Sequence, residues 1–251
     1  CLLHEHGGLM PAVSVQRYAD SSSLAASAAA ALVRRLVELQ AGNAIVHLCL
    51  TGGRIANRIY EHVAGMVATS DLDPGRLELW WGDERFVPTD DPDRHSLQAL
   101  TRLAGSFPLD PARTHPMPSA DVFTDPHEAA YAYSREISGI TLDICLLSIG
   151  EDGHVASLFH GHPSFEPTQS LAVGVTDPPK SPERVSLTLS AINRAKEVWL
   201  LASGSEKAGP VARALRGDPT IPGAHVHGVD QTIWFLDEDA AALVPYHACG
   251  L

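Results

Sequence analysis

The run Leu142-Asp143-Ile144-Cys145-Leu146-Leu147-Ser148-Ile149, followed at once by Gly150-Glu151-Asp152-Gly153-His154, decides how this chain folds. Eight mostly apolar residues without polar alternation describe a strand buried on both faces. The glycines and charges behind it describe a strand end that opens into a loop. The same succession recurs. Ala44 to Thr51 stops at Gly52-Gly53, Leu77 to Gly82 runs into Asp83-Glu84-Arg85, and Glu197 to Ala202 runs into Ser203-Gly204-Ser205-Glu206-Lys207. Helical spacing is expected over Ser21 to Gln40, with Ser22 or Ser23 as cap, and over Ile55 to Met66, Ser96 to Ala104, His127 to Ser138 and Glu206 to Leu215. Shorter strands are expected at Val13 to Tyr18, Leu171 to Val175, Arg184 to Leu189 and Ile233 to Leu236, and a short helix at Ala156 to Phe159. Asp83 and its neighbours read as the start of a polar loop rich in Asp and Pro, and Pro178-Pro179-Lys180-Ser181-Pro182 as a loop within the domain.

Strands alternating with helices imply an α/β fold: a mainly parallel twisted sheet with helices on both faces, Rossmann-like, in a single domain. In such a sheet ligands bind beyond the carboxyl ends of the strands. All four glycine- and charge-bearing ends then face one edge.

The 251 residues carry 18 Lys and Arg against 30 Asp and Glu, a net charge of −12. That balance argues against a nucleic-acid or anionic-membrane surface, which needs a cationic face. It leaves room for a small anionic substrate held by a local cluster of donors. No apolar stretch reaches the roughly 18 residues of a membrane span. Cys1, Cys49, Cys145 and Cys249 have no metal-finger spacing, and two of them lie inside apolar runs, so a reducing, cytoplasmic compartment is expected. Residues 1–9 read as an extension ahead of Met10, and residues 10–251 as the domain. No nucleophile elbow, P-loop or dinucleotide fingerprint is present, and no metal or cofactor is expected.

Each loop has two readings. Gly52-Gly53 is a tight turn, or a cradle in which main-chain N–H groups approach an anion at a helix start. Asp83-Glu84-Arg85 is a solvated charge run, or a site in which Arg85 binds an anion and Asp83 orients a base or hydroxyl. His154 caps a helix, or serves as general base with Asp152 orienting it. Lys207 is a surface lysine, or shares a phosphate with the helix start on which the dipole disfavours a cation. Lys180 and Arg184 flank a strand, and solvent exposure is the ordinary fate of such residues.

Four blocks carry a family resemblance: Trp81-Gly82-Asp83-Glu84-Arg85-Phe86-Val87-Pro88, Gly150-Glu151-Asp152-Gly153-His154-Val155-Ala156-Ser157-Leu158-Phe159, Pro179-Lys180-Ser181-Pro182-Glu183-Arg184-Val185-Ser186-Leu187-Thr188, and Gly204-Ser205-Glu206-Lys207-Ala208. In this order they resemble the 6-phosphogluconolactonases, within the glucosamine/galactosamine-6-phosphate isomerase superfamily, across roughly residues 13–236. Two positions depart from the usual pattern. Thr51-Gly52-Gly53-Arg54 replaces Ser-Gly-Gly-Ser, which adds Arg54, and His95 stands where the family usually has Asn.

The resemblance implies hydrolysis of 6-phospho-D-glucono-1,5-lactone to 6-phosphogluconate in the oxidative pentose phosphate pathway. His154 would be the base that activates water. Asp152 and Asp83 would position His154 and the sugar hydroxyls. Arg85, with Lys180 or Arg184, would hold the oxyanion or phosphate, and Gly52, Gly53, Arg54 and Lys207 would cradle the phosphate. The partner implied is this sugar-phosphate lactone, acted on by a monomer or weak homodimer. Two other readings are an amino-sugar phosphate deaminase or isomerase, against which the run Ala156 to Phe159 argues, and a sugar-phosphate-binding protein without catalysis.

Overall fold

The computed structural model describes residues 12–108 and 110–245. The expectations for residues 1–9, for Met10 and for Cys1 and Cys249 lie outside the described residues. The chain runs β1 (Ala12–Tyr18), α1 (Ser21–Gly42), β2 (Val46–Leu50), α2 (Arg54–Met66), β3 (Leu77–Trp81), β4 (Asp83–Arg85), α3 (His95–Leu103) and α4 (Pro126–Glu136). It continues through β5 (Ile144–Ser148), β6 (Ala172–Val175), β7 (Arg184–Leu187), α5 (Leu189–Ile192), β8 (Glu197–Ala202), α6 (Ala208–Leu215) and β9 (Gln231–Asp237).

Six strands form one sheet in the order β1-β9-β8-β5-β2-β3, and every neighbouring pair is parallel. Strand β5 lies inside it with Ile144, Cys145, Leu146 and Leu147 all at most 1% exposed. Burying each large aliphatic side chain contributes about 1.5–3 kcal/mol, so these uninterrupted apolar runs are stable only with a helix layer on each face. The chain moves one way from β2 to β3, and the opposite way from β5 through β8 to β9. With right-handed crossovers, opposite directions put the connecting helices on opposite faces. The reversal falls between β2 and β5, so a crevice opens beyond their carboxyl ends.

Helix α1 lays Leu24, Ala25, Ala28, Ala29, Leu32, Val33 and Leu36 on the core. Its cap is Asp20 rather than Ser22 or Ser23. The Asp20 carboxylate accepts the N–H groups of Ser22 and Ser23, and the Asp20 N–H in turn donates to the Ser23 hydroxyl oxygen. A carboxylate at this place is favoured by the helix dipole as well.

A second sheet of three antiparallel strands, β4-β7-β6, was not expected from the sequence. Asp83-Glu84-Arg85 is strand β4 and pairs with Arg184–Ser186 of β7. The expected helix over Ala156 to Phe159 is also absent. Val155 makes antiparallel bridges with Ile149 and Leu158, and Ala156 turns with φ 50°. Glu206 to Leu215 divides into a single 3-10 turn at Ser205–Lys207 and then α6. Among the described residues no helix is long and apolar enough to cross a membrane.

Candidate active site

Hydrogen bonds between loops tie together the strand ends around the crevice at the β2–β5 reversal. The Ser148 hydroxyl at the end of β5 donates to the Gly52 carbonyl beyond β2 at 3.0 Å, and the Gly82 N–H beyond β3 donates to the Leu50 carbonyl at 2.9 Å. Leu187 N–H donates to the Gly82 carbonyl at 2.8 Å, which ties the small sheet to the large one. The strand ends are therefore held together over the site.

His154 lies in the loop beyond β5. Its Nδ1 stands 2.5 Å from Asp152 Oδ1, and its main-chain N–H donates to the same oxygen at 3.2 Å. Burial pushes the Asp152 carboxyl up, but the hydrogen bond and charge of His154 outweigh it and hold it at about 2. With Nδ1–H directed at a carboxylate, Nε2 carries the lone pair. The ring packs against Phe159, with centroids 4.6 Å apart. It also lies directly over Gly150, where a Cβ would fall 2.1 Å from Nδ1. Glycine is required there because the imidazole occupies the space of any side chain.

A second glycine-histidine contact mirrors the first. A Cβ on Gly52 would fall 1.9 Å from Cδ2 and 2.0 Å from Nε2 of His95. His95 is the first residue of α3 and is 6% exposed. Its Nδ1 stands 3.2 Å from the Asp83 carbonyl and 3.5 Å from Asp83 Oδ1. The other Asp83 oxygen accepts from the Ser157 hydroxyl at 2.7 Å. Burial pushes the Asp83 carboxyl up, yet His95, Ser157 and Arg85 together hold it well below the usual carboxylate range. The direct partners of Asp83 are thus Ser157 and His95.

The carboxylate next to it has a different task. Glu84 accepts the N–H groups of Arg85, His95 and Ser96 at 2.7–2.8 Å, and the buried Arg94 guanidinium stands 3.8 Å away. It caps α3, whose own cap residue, Arg94, supplies no side-chain acceptor.

The candidate cations lie in different environments. Arg85 and Arg184 are direct partners across the β4–β7 ladder. Arg184 is buried, not solvent-exposed. Its Nη2 donates to the Lys180 carbonyl at 3.2 Å, and its Nε has no partner. Burial pulls its guanidinium down against the opposing pull of Asp83. Lys207 is half-buried in the 3-10 turn ahead of α6. Burial pulls its ammonium down, Glu151, Glu206 and Asp152 raise it, and the charge of Lys180 lowers it further. Arg54 starts α2 behind Gly53, the helix cap at φ 105°. Its side chain is 92% exposed and reaches Glu206 Oε1 at 3.3 Å, so in this state it joins the loop beyond β2 to the loop beyond β8. No group of three or more His, Cys, Asp or Glu among the described residues is arranged to hold a metal ion.

The sequence pattern of the family described as glucosamine-6-phosphate isomerases/6-phosphogluconolactonase matches residues 19–234. The chain belongs to this family. It is 43% identical to the 6-phosphogluconolactonase of Streptomyces coelicolor over 90% of this chain and 92% of that protein. It is 36% identical to the 6-phosphogluconolactonase of Mycobacterium leprae over 92% and 98% of the two chains. The solved 6-phosphogluconolactonase of Thermotoga maritima superposes with a TM-score of 0.79 at 25% identity, covering 90% of this chain and 99% of that one. As a member of the family the chain keeps the α/β sheet of these proteins.

Four residues of the site were not singled out as candidates in the sequence: His95, Ser157, Glu84 and Ser148. Ser157 and Glu84 stand inside the quoted blocks, but nothing local separates a buried serine or a capping glutamate from its neighbours. His95 carried one signal, its departure from the family pattern.

Proposed function

We propose that this chain hydrolyses 6-phospho-D-glucono-1,5-lactone to 6-phosphogluconate. The observation that carries the reading is the 43% identity to the Streptomyces coelicolor 6-phosphogluconolactonase along nearly the whole of both chains. The geometry of His154 supports a mechanism. Nε2 of His154 takes a proton from water, and the oxygen attacks the lactone carbonyl carbon. Asp152 keeps the proton on Nδ1 and stabilises the imidazolium that forms. The tetrahedral oxyanion collapses, the bond from carbonyl carbon to ring oxygen breaks, and the imidazolium returns its proton to that oxygen.

Arg85 and Arg184, two cations side by side with one orphaned donor, are suited to the developing oxyanion or the phosphate. Gly52 and Gly53 at the start of α2 offer main-chain N–H groups to the phosphate, with Lys207, Lys180 and Arg54 around them. Asp83 acts through Ser157 and His95 and accepts sugar hydroxyls. Positioning by the phosphate and one general base, the latter worth about 10²–10⁴-fold, suit an activated ester that opens readily. We read the enzyme as acting in the cytoplasm, in keeping with the free thiols of Cys49 and Cys145. A monomer or weak homodimer suffices, because one chain holds every residue named.

The experiment is lactonase turnover of His154→Ala, with folding checked by circular dichroism. A fall in kcat of about 10²-fold or more is expected. Near wild-type turnover would remove His154 from the base role. Release of ammonia from glucosamine 6-phosphate would favour a deaminase instead, and binding of 6-phosphogluconate without lactone hydrolysis would favour a sensor.

A further inference from the structure

The second histidine of the site, His95, stands beside Asp83 and takes no part in the proton transfers at the lactone. His95 is nearly fully buried, yet only one of its ring nitrogens is engaged. Nδ1 faces the carbonyl and carboxylate of Asp83. Nε2 lies on the edge of the ring that occupies the space above Gly52. Among the described residues no group is bonded to it, and it is not among the enclosed polar atoms left without a partner. A ring nitrogen that is neither bonded nor sealed off is free to meet a ligand. It stands at the mouth of the Gly52-Gly53 loop, between the carboxylate of Asp83 and the start of α2.

We propose that His95 is an anion-binding residue that takes up a proton when the substrate's phosphate settles in the Gly52-Gly53 loop. The proposal rests on the reading of that loop as the phosphate cradle. An imidazolium in this position has the Asp83 carbonyl on Nδ1 with the Asp83 carboxylate beside it, and a phosphate oxygen on Nε2, so both of its N–H groups have acceptors. Without the phosphate, Nε2 has no acceptor among the described residues. Binding of the dianion and protonation of His95 therefore favour each other, and by linkage each strengthens the other to the same extent.

The charged groups around the ring fit this role. Asp83 and Glu84 of β4 lie against it, and Glu84 is occupied by the N–H groups at the start of α3. Arg94 precedes it in the chain and is directed at the carbonyls of Arg85, Val87 and Met117. Arg85 and Arg184 stand beyond Asp83. From the β2–α2 segment Arg54 is turned to Glu206, and Asn57 to Gln98 of α3. A proton on His95 thus answers Asp83 on one side and leaves its second N–H for the ligand.

The test is calorimetric titration of the wild-type enzyme and of His95→Asn with 6-phosphogluconate. Titrations run in buffers of different ionisation enthalpy from pH 5.5 to 8.5, the range in which imidazole loses its proton being about pH 5–8. The expected result is proton uptake by the wild type that is smaller in His95→Asn, and an affinity gap of about tenfold at the acid end that closes at the alkaline end. His95→Gln serves as a second amide if His95→Asn does not fold. Equal proton uptake and a parallel pH dependence in wild type and variant would overturn the proposal, as would no proton uptake by the wild type. A purely structural role would shift affinity equally at every pH. If the wild type does not bind 6-phosphogluconate at all, or gluconate binds as well as its phosphate ester, the failure lies with the cradle reading itself.

Discussion

Arg85 and Arg184 face each other as a directly paired position of the β4–β7 ladder, and Arg184 keeps a buried Nε without a partner. Like charges opposite each other in a sheet are destabilising, and a buried unsatisfied donor costs about 1–3 kcal/mol. If an anion binds between these two guanidinium groups, as proposed above, it offsets both costs. Arg184→Met is accordingly expected to leave the melting temperature of the free protein unchanged or raise it by about 2–4 °C. The same variant loses the stabilisation by 6-phosphogluconate and about 10²-fold in kcat/KM. Thermal melts with and without ligand, beside lactonase kinetics, check this. A destabilised free protein with normal kinetics would contradict it.

Gly52 and His95 occupy one space. Gly52→Ala drives a methyl into the imidazole ring, and such overpacking costs about 1–3 kcal/mol. The damage should be relieved by a second substitution, His95→Ala, which empties that space. In a double-mutant cycle by urea unfolding the two changes are therefore expected to be strongly non-additive. Additive losses would mean that the methyl is accommodated by movement of the β2–α2 loop.

Glu84 is expected to be a stability residue. Glu84→Ala removes the acceptor of three N–H groups and leaves the buried Arg94 without its carboxylate. Breaking such a buried pair costs about 3–5 kcal/mol. A fall in melting temperature of about 6–20 °C is expected for a domain of this size. Glu84→Gln keeps one acceptor oxygen and should fall between.

Asp83 supplies a pH-dependent share of stability. Its carboxyl is held below the usual range in the folded protein. Its stabilising contribution is then fully present above the unfolded value of about 3.9. It is lost as pH falls through the lower folded value, because the unfolded chain takes the proton first. Asp83→Asn should be less stable than wild type at neutral pH, with the gap narrowing as pH drops below about 4. Urea unfolding at pH 7, 4 and 3 measures it. A gap that widens with acid would reverse the sign.

Much of this protein is determined by its sequence alone. Uninterrupted apolar runs such as Leu142 to Ile149 have to be buried on both faces, which forces a parallel sheet between helix layers. Glycines and charges behind those runs mark one edge of it. His154 and Asp152 are two residues apart, so their pairing is local and legible. The tertiary structure decided what depends on residues distant in the chain. Asp83-Glu84-Arg85 has no apolar period and reads as a loop, yet it is a strand, because its partner is about a hundred residues away in β7. Asp83 and Glu84 are adjacent acids with unrelated roles, one set by Ser157 and His95, the other by the start of α3. Local pattern encodes which residues must leave water. Which charges leave it together depends on the partners the fold brings to them, and in this site those partners come from segments far apart in the chain.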